Sequence, residues 1–124
     1  MDKDAVMRRA LGVSVIYNFV GAFLLAFPSS SLGQLAGVPT PVPPTYRALA
    51  GFFVALFGGA YAWLARQREI DRPLVALSII GKGGVFAIIV VFWLVGQGPG
   101  RGVVAGTGDL VLAGIFAWWL FASR

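Results

Sequence analysis

The sequence contains no cysteine and no histidine. Without cysteine there is no disulfide, no iron–sulfur ligation and no thiolate nucleophile. Without histidine the commonest metal and haem ligand and the usual general base are missing too. Most redox and hydrolytic chemistries fall away, and neither a metal site nor a resident cofactor is expected. Charge is also scarce. Only 12% of the 124 residues are charged while 58% are apolar, against about 25% charged in a typical soluble domain. Acidic residues are fewest, with five Asp and Glu against ten Lys and Arg. In a soluble protein that basic balance would point to nucleic acid. In a chain with mean hydropathy +0.83 it points instead to loop bias and anionic lipid, so membrane lipid is the expected partner and nucleic acid is not. Four membrane spans of about 20 residues use about 80 positions. The remainder is too short for a second domain.

The apolar runs place these spans. The first covers about 10–27 and is closed by Pro28 and Ser29 to Ser31. The second covers about 47–65 and ends at Arg66–Arg72, five charges in seven positions before Pro73. The third covers about 74–95, with Pro73 suited to a first helical turn, and breaks at the glycine-rich segment 96–102. The fourth covers about 103–122. No sustained alternation of period two is present, and open strands are not viable in lipid. The expected fold is all-α, an antiparallel four-transmembrane-helix bundle in one domain.

Orientation follows from the cations. Lys3, Arg8, Arg9, Arg66, Arg68, Arg72 and Arg124 fall on one side of the membrane and Arg47 and Arg101 on the other, which puts both termini in the cytoplasm. Trp63, Trp118 and Trp119 then form an inner interfacial belt, with Trp93 and Tyr46 near the outer interface. A basic start followed by an apolar run is shared with secretory signals, but the run is long, Asn18 interrupts it, and retention keeps both ends inside. The first helix is expected to stay. Residues 28–46 form an outer loop in which Leu32, Leu35, Ala36 and Val38 precede Pro39, Pro41, Pro43 and Pro44. A short interfacial helix followed by an extended segment is expected, either as a connector or as a lid or docking element.

Two ionisable residues cannot be moved to an interface by shifting helix ends. Lys82 lies about 13 Å from the cytoplasmic edge and Asp109 about 9 Å from the outer edge of a core about 30 Å thick. Their depths differ by about 8 Å on that spacing, within joint side-chain reach. Each would cost about 2.5 to 3.5 kcal/mol facing lipid at a helix centre, so a shared interior cluster is expected. Ala105, Ala113 and Ala117 share the face of Asp109 and allow close approach. Ser78 stands one turn before Lys82. In the first helix Ser14 and Asn18 form a polar stripe with Tyr17 beside it. In the second, Gly51, Ala55 and Gly59 suit close packing, and Arg47 is a second candidate partner for Asp109. Gly81-Lys82-Gly83-Gly84 lacks the strand and spacing of a phosphate loop and reads as a tight helix contact. Gly102 and Gly106 read as a helix-pairing pair.

Several short motifs resemble those of small bacterial four-span proteins of the DoxX-like family. They are Phe27-Pro28 ending the first helix, Gly37-Val38-Pro39 in the loop, Arg47 to Gly51 opening the second helix, Gly59-x-Tyr61 near its end, and Gly108-Asp109-Leu110 in the fourth. The resemblance covers most of the chain and implies a four-helix bundle in the bacterial inner membrane. Some relatives are associated with quinone-linked sulfur oxidation, but the resemblance carries no catalytic residues over, and the lack of cysteine argues against a thiol relay.

Three roles compete for the polar cluster of Ser14, Tyr17, Asn18, Arg47, Ser78, Lys82 and Asp109. It can simply lock helix register. It can bind the head of a lipid, quinone or other small amphiphile, the protein acting alone or as an accessory subunit of a membrane complex. It can lie on an ion or proton path in an oligomeric transporter or channel. Catalysis by a buried lysine is the least supported, since no nucleophile, metal or second carboxylate stands beside it. The amphiphile reading is favoured over transport, because four helices rarely enclose a wide pore alone.

Overall fold

The computed structural model describes residues 2–123; the Arg124 charge counted above lies outside them. It contains α1 (Lys3–Ala26), α2 (Ser31–Leu35), α3 (Pro44–Arg66), α4 (Arg72–Leu94) and α5 (Gly100–Ala122), with no strand among the described residues. At 1.5 Å per residue the four long helices each extend about 35 Å, enough to cross a hydrocarbon core of about 30 Å. All four are also apolar enough to do so. The protein is a multi-pass, all-α integral membrane protein built as a four-helix bundle.

Each helix begins before its apolar span does. α1 starts at Lys3 because Asp2 caps it, its carboxylate accepting from the backbone N–H groups of Asp4 and Ala5. α3 starts with Pro44 in its first turn, where the missing N–H costs nothing. α4 starts at Arg72 because Asp71 accepts from the Leu74 N–H at 3.0 Å. α5 starts at Gly100 after Pro99. Hydropathy marks where lipid begins, whereas caps mark where the backbone begins to coil.

The chain makes two hairpins, α1 with α3 and α4 with α5, and α1 against α5 joins them. α3 and α4 are therefore the outer members and do not pack closely along their length. Glycines allow the closest approach. Gly51 sits against the Ala22 carbonyl and Ala26, and Gly58 against Phe19 and Asn18. The expected stripe through Gly59 is corrected here, because the α1 contact recurs at seven residues, 51 to 58, and Gly59 faces open space. The glycines around Lys82 are likewise not a tight contact, since nothing lies within 4 Å of a Cβ built on Gly81, Gly83 or Gly84. Gly106 does pack, on Ile89 and Phe86 of α4.

At the end of the bundle holding both termini, helix polarity and charge agree. Acidic Asp2, Asp4 and Asp71 lie at the N-terminal ends of α1 and α4. Cations reach the C-terminal carbonyls of α3 and α5. Arg8 donates to Ala65 at 2.7 Å and Arg68 at 3.2 Å, Lys3 to Ala122 at 2.8 Å, and Arg72 to Leu120 and Ser123. Both arrangements favour the helix dipoles and satisfy carbonyls that helix ends leave free. Met7, Leu11, Leu64, Val75 and Phe116 fill the core beneath. Trp119 belongs to that core and not to an interfacial belt: it is buried, its indole N–H donates to Asp4 at 2.8 Å, and Arg72 stacks on its ring. Trp63, Trp118 and Trp93 remain exposed.

At the opposite end, α2 and the extended segment after it cross from one hairpin to the other. Gly37 has φ +76 and sits 3.0 Å (as a built Cβ) from Arg101 Cβ, the Gly102 nitrogen and Pro99. Only glycine meets both the left-handed backbone and that contact. α3 and α5 begin at this end with no side-chain cap.

Candidate functional site

Lys82 of α4 projects into the bundle and is 3% exposed. Its ammonium donates to Asp109 Oδ1 of α5 at 3.0 Å and to Asn18 Oδ1 of α1 at 3.2 Å. Two ring faces complete the surroundings, Tyr17 with its centroid at 5.2 Å and Tyr61 at 4.9 Å. A lysine ammonium has three N–H donors and no acceptor. Here two of them go to oxygens, and the ring quadrupoles attract the remaining positive charge. All four spanning helices contribute to this one shell.

The neighbours are themselves held. Asn18 donates its Nδ2 to the Val54 carbonyl of α3 at 3.0 Å, which fixes its Oδ1 toward Lys82. The Tyr17 ring lies against Gly108 of α5, where a Cβ would collide with it, and its hydroxyl donates to the Ala105 carbonyl. Tyr61 also packs on Phe116, with centroids 6.0 Å apart. Ala113 on the Asp109 face is buried, while Ala105 is exposed.

Asp109 differs from Lys82. Its side chain is 15% exposed, and it accepts Lys82 on Oδ1 while no described side chain donates to Oδ2. The lysine is enclosed by protein; the carboxylate keeps one free acceptor at the edge of the cluster.

Of the other residues singled out in sequence, the two serines are satisfied within their own helices and Arg47 lies apart. The Ser14 hydroxyl donates to the Ala10 carbonyl at 2.9 Å and the Ser78 hydroxyl to the Leu74 carbonyl at 2.7 Å, each one turn back in its own helix. Ser78 is also within reach of the Tyr61 hydroxyl. Such back-bonding is how a hydroxyl is satisfied where water is absent. Arg47 is not brought to Asp109. It lies in the opening turns of α3, one turn before Gly51, on the side facing α1, and its buried Nε has no hydrogen-bond partner. Asp109, in contrast, is well inside α5, about 14 Å from its start at 1.5 Å per residue. The depth match to Arg47 fails because α3 begins at Pro44 and its register follows α1.

Tyr61 is the member that sequence reasoning missed as a site residue. Its signal was present: a tyrosine within a membrane span, three residues after Gly58 on the packing face, needs a partner for its hydroxyl. Two surface cavities stand apart from the cluster. One of about 390 Å³ is lined by Val6, Val111, Gly114, Ile115 and Trp118, and one of about 340 Å³ lies between the proline-rich loop and the α4–α5 turn. Among the described residues no group of acidic side chains could hold a metal ion. No family model, curated protein or solved structure matches the chain.

Proposed function

We propose that this membrane protein binds a small amphiphile whose head donates a hydrogen bond to Asp109 and whose tail lies along α4. The observation that carries the reading is the asymmetry of the ion pair. The ammonium is enclosed by two oxygens and two ring faces, and the carboxylate retains a free oxygen and an exposed edge. A free carboxylate oxygen accepts and cannot donate, so it selects a hydroxyl-bearing head such as a quinol or a glycerol-based lipid over a carbonyl-only quinone. The uncovered backbone at Gly81, Gly83 and Gly84 flanks Lys82 and gives a tail close contact, the source of packing energy in lipid. The resemblance to DoxX-like proteins supports a quinone-class ligand, and with the cationic excess at the terminal end it also supports the bacterial inner membrane with both termini cytoplasmic.

The test begins with organic extraction of protein purified in a sugar-based detergent and mass spectrometry of the extract. A near-stoichiometric hydroxyl amphiphile, lost in Asp109→Asn, is expected. Stripped protein is then heated with a short-tail benzoquinol, the matching benzoquinone or a short-chain diacylglycerol. A ligand at 100 times its Kd raises stability by about 2.7 kcal/mol, so the quinol or the diacylglycerol should raise Tm and the quinone should not. No bound amphiphile and no shift would overturn the reading. Asp109-dependent proton flux in liposomes in place of binding would favour transport.

A further inference from the structure

We infer that the groove between the proline-rich loop and the α4–α5 turn is a binding site for a phosphate-class oxyanion, separate from the ion-pair cluster. The groove, about 340 Å³, is lined by Gln34, Gly37, Val38, Pro39, Thr40, Gln97, Pro99 and Arg101, a size within the range of small-molecule sites. Three neutral hydrogen-bonding side chains, Gln34, Thr40 and Gln97, accompany one cation, and no carboxylate lines the groove. Gln34 commits one of its two amide N–H groups to the Ser29 carbonyl, and Thr40 and Gln97 are the other neutral donors.

Charge balance at this end of the bundle points the same way. Asp2, Asp4, Glu69 and Asp71 all lie at the opposite end, and Asp109 is held inside the bundle by Lys82. Arg101 therefore meets no carboxylate among the described residues. Among the described residues its side chain makes no ion pair and no hydrogen bond. A guanidinium presents a planar fork that matches phosphate oxygens two at a time.

The site is also built in advance. Gly37 passes close beside the stem of Arg101, where an added side-chain carbon would stand 3.0 Å from Arg101 Cβ, while backbone hydrogen bonds from Val38 to Gly33 at 3.0 Å and from Gln97 to Phe92 at 2.8 Å hold the two walls. Walls and stem are ordered before a ligand arrives, which lowers the entropy lost on binding. Only the head of Arg101 remains free.

The phosphate can be free in solution or part of a phospholipid headgroup, and two arms separate these sources. In the first, inorganic phosphate is titrated into full-length protein in a phosphate-free detergent and followed by phosphorus NMR line broadening. In the second, the protein is placed in nanodiscs of phosphatidylcholine with and without phosphatidylglycerol, and retained lipid is measured by native mass spectrometry. Wild type should bind in at least one arm. Arg101→Gln should weaken that binding about tenfold, Arg101→Lys less, and Gln97→Ala partially. Arg9→Gln, at the other end of the bundle, should leave it unchanged. Binding of free phosphate without a lipid preference identifies a soluble anion, and enrichment of phosphatidylglycerol identifies a headgroup. Equal behaviour of wild type and Arg101→Gln in both arms overturns the inference, as does an equal loss in Arg9→Gln, which would mark the effect as net charge alone. Arg101 is exposed, so its variants should fold; Gln97→Ala, which leaves the charge unchanged, gives a second measure of the same groove.

Discussion

Lys82 and Asp109 lend themselves to a double-mutant cycle, because the shell around them makes the two single variants unequal. In Lys82→Leu, Asp109 loses its donor at 3.0 Å. Asn18 cannot turn to replace it, since its Nδ2 is committed to Val54. An unpaired charge is left inside the bundle, and breaking a buried pair in this way costs about 3 to 5 kcal/mol. In Asp109→Asn the ammonium keeps the Asn18 oxygen at 3.2 Å, gains a neutral amide oxygen, and keeps two ring faces within 5.2 Å. Cation–ring contacts contribute from about 0.5 kcal/mol when exposed to about 2 kcal/mol when desolvated, so the loss should be smaller, about 1 to 3 kcal/mol. Replacing both residues removes both charges together and should fall within about 1 kcal/mol of wild type. The cycle then gives a coupling of about 3 kcal/mol or more, far beyond the ~0.5 kcal/mol within which independent sites add. The assay is reversible unfolding in mixed detergent micelles at fixed protein and lipid content. Additive single effects would falsify the pairing, and an Asp109→Asn variant less stable than Lys82→Leu would refute the compensating role of the tyrosine rings. Ligand retention measured on the folded double variant then decides between lock and site: full retention removes Lys82 and Asp109 from the functional account.

Two further expectations follow from the packing and the charge distribution. Gly108→Ala drives a methyl into the stiff Tyr17 ring and should cost about 1 to 3 kcal/mol. Gly59→Ala, into open space, should be neutral or stabilising by up to about 1 kcal/mol; thermal unfolding of the two variants side by side checks this, and equal shifts refute it. For topology, a reporter active only in the cytoplasm should work when fused to the C-terminus and fail when inserted at Thr40, and the reverse pattern overturns the proposed orientation.

The proposed amphiphile-head acceptor on Asp109 and the proposed oxyanion groove at Arg101 lie in different parts of the molecule and rest on different residues. Their tests are independent: loss of one activity in an Asp109 or Arg101 variant leaves the other to be measured. The resting arrangement of the cluster also explains why a lysine can persist in a span that otherwise excludes charge. Three helices besides its own supply the oxygens and ring faces that water supplies elsewhere.

The number of spans was legible in the residues because a hydrocarbon core dictates length and composition to each segment separately. So was the need for Lys82 and Asp109 to meet, since depth is counted along a helix and an unpaired charge is costly at any rotation. Rotation and neighbour choice were not legible. A helix in lipid is apolar on its outer face as well as its inner one, so the amphipathic period that orients a soluble helix is weak here. Only packing decided that α1 and α5 lie between the other two, that Gly58 and not Gly59 meets α1, and that Trp119 turns inward to Asp4. The same packing withheld Arg47 from Asp109 and brought Tyr61 over Lys82. Those choices depend on side-chain shapes from four helices fitting together at once, and no single segment of the sequence contains them.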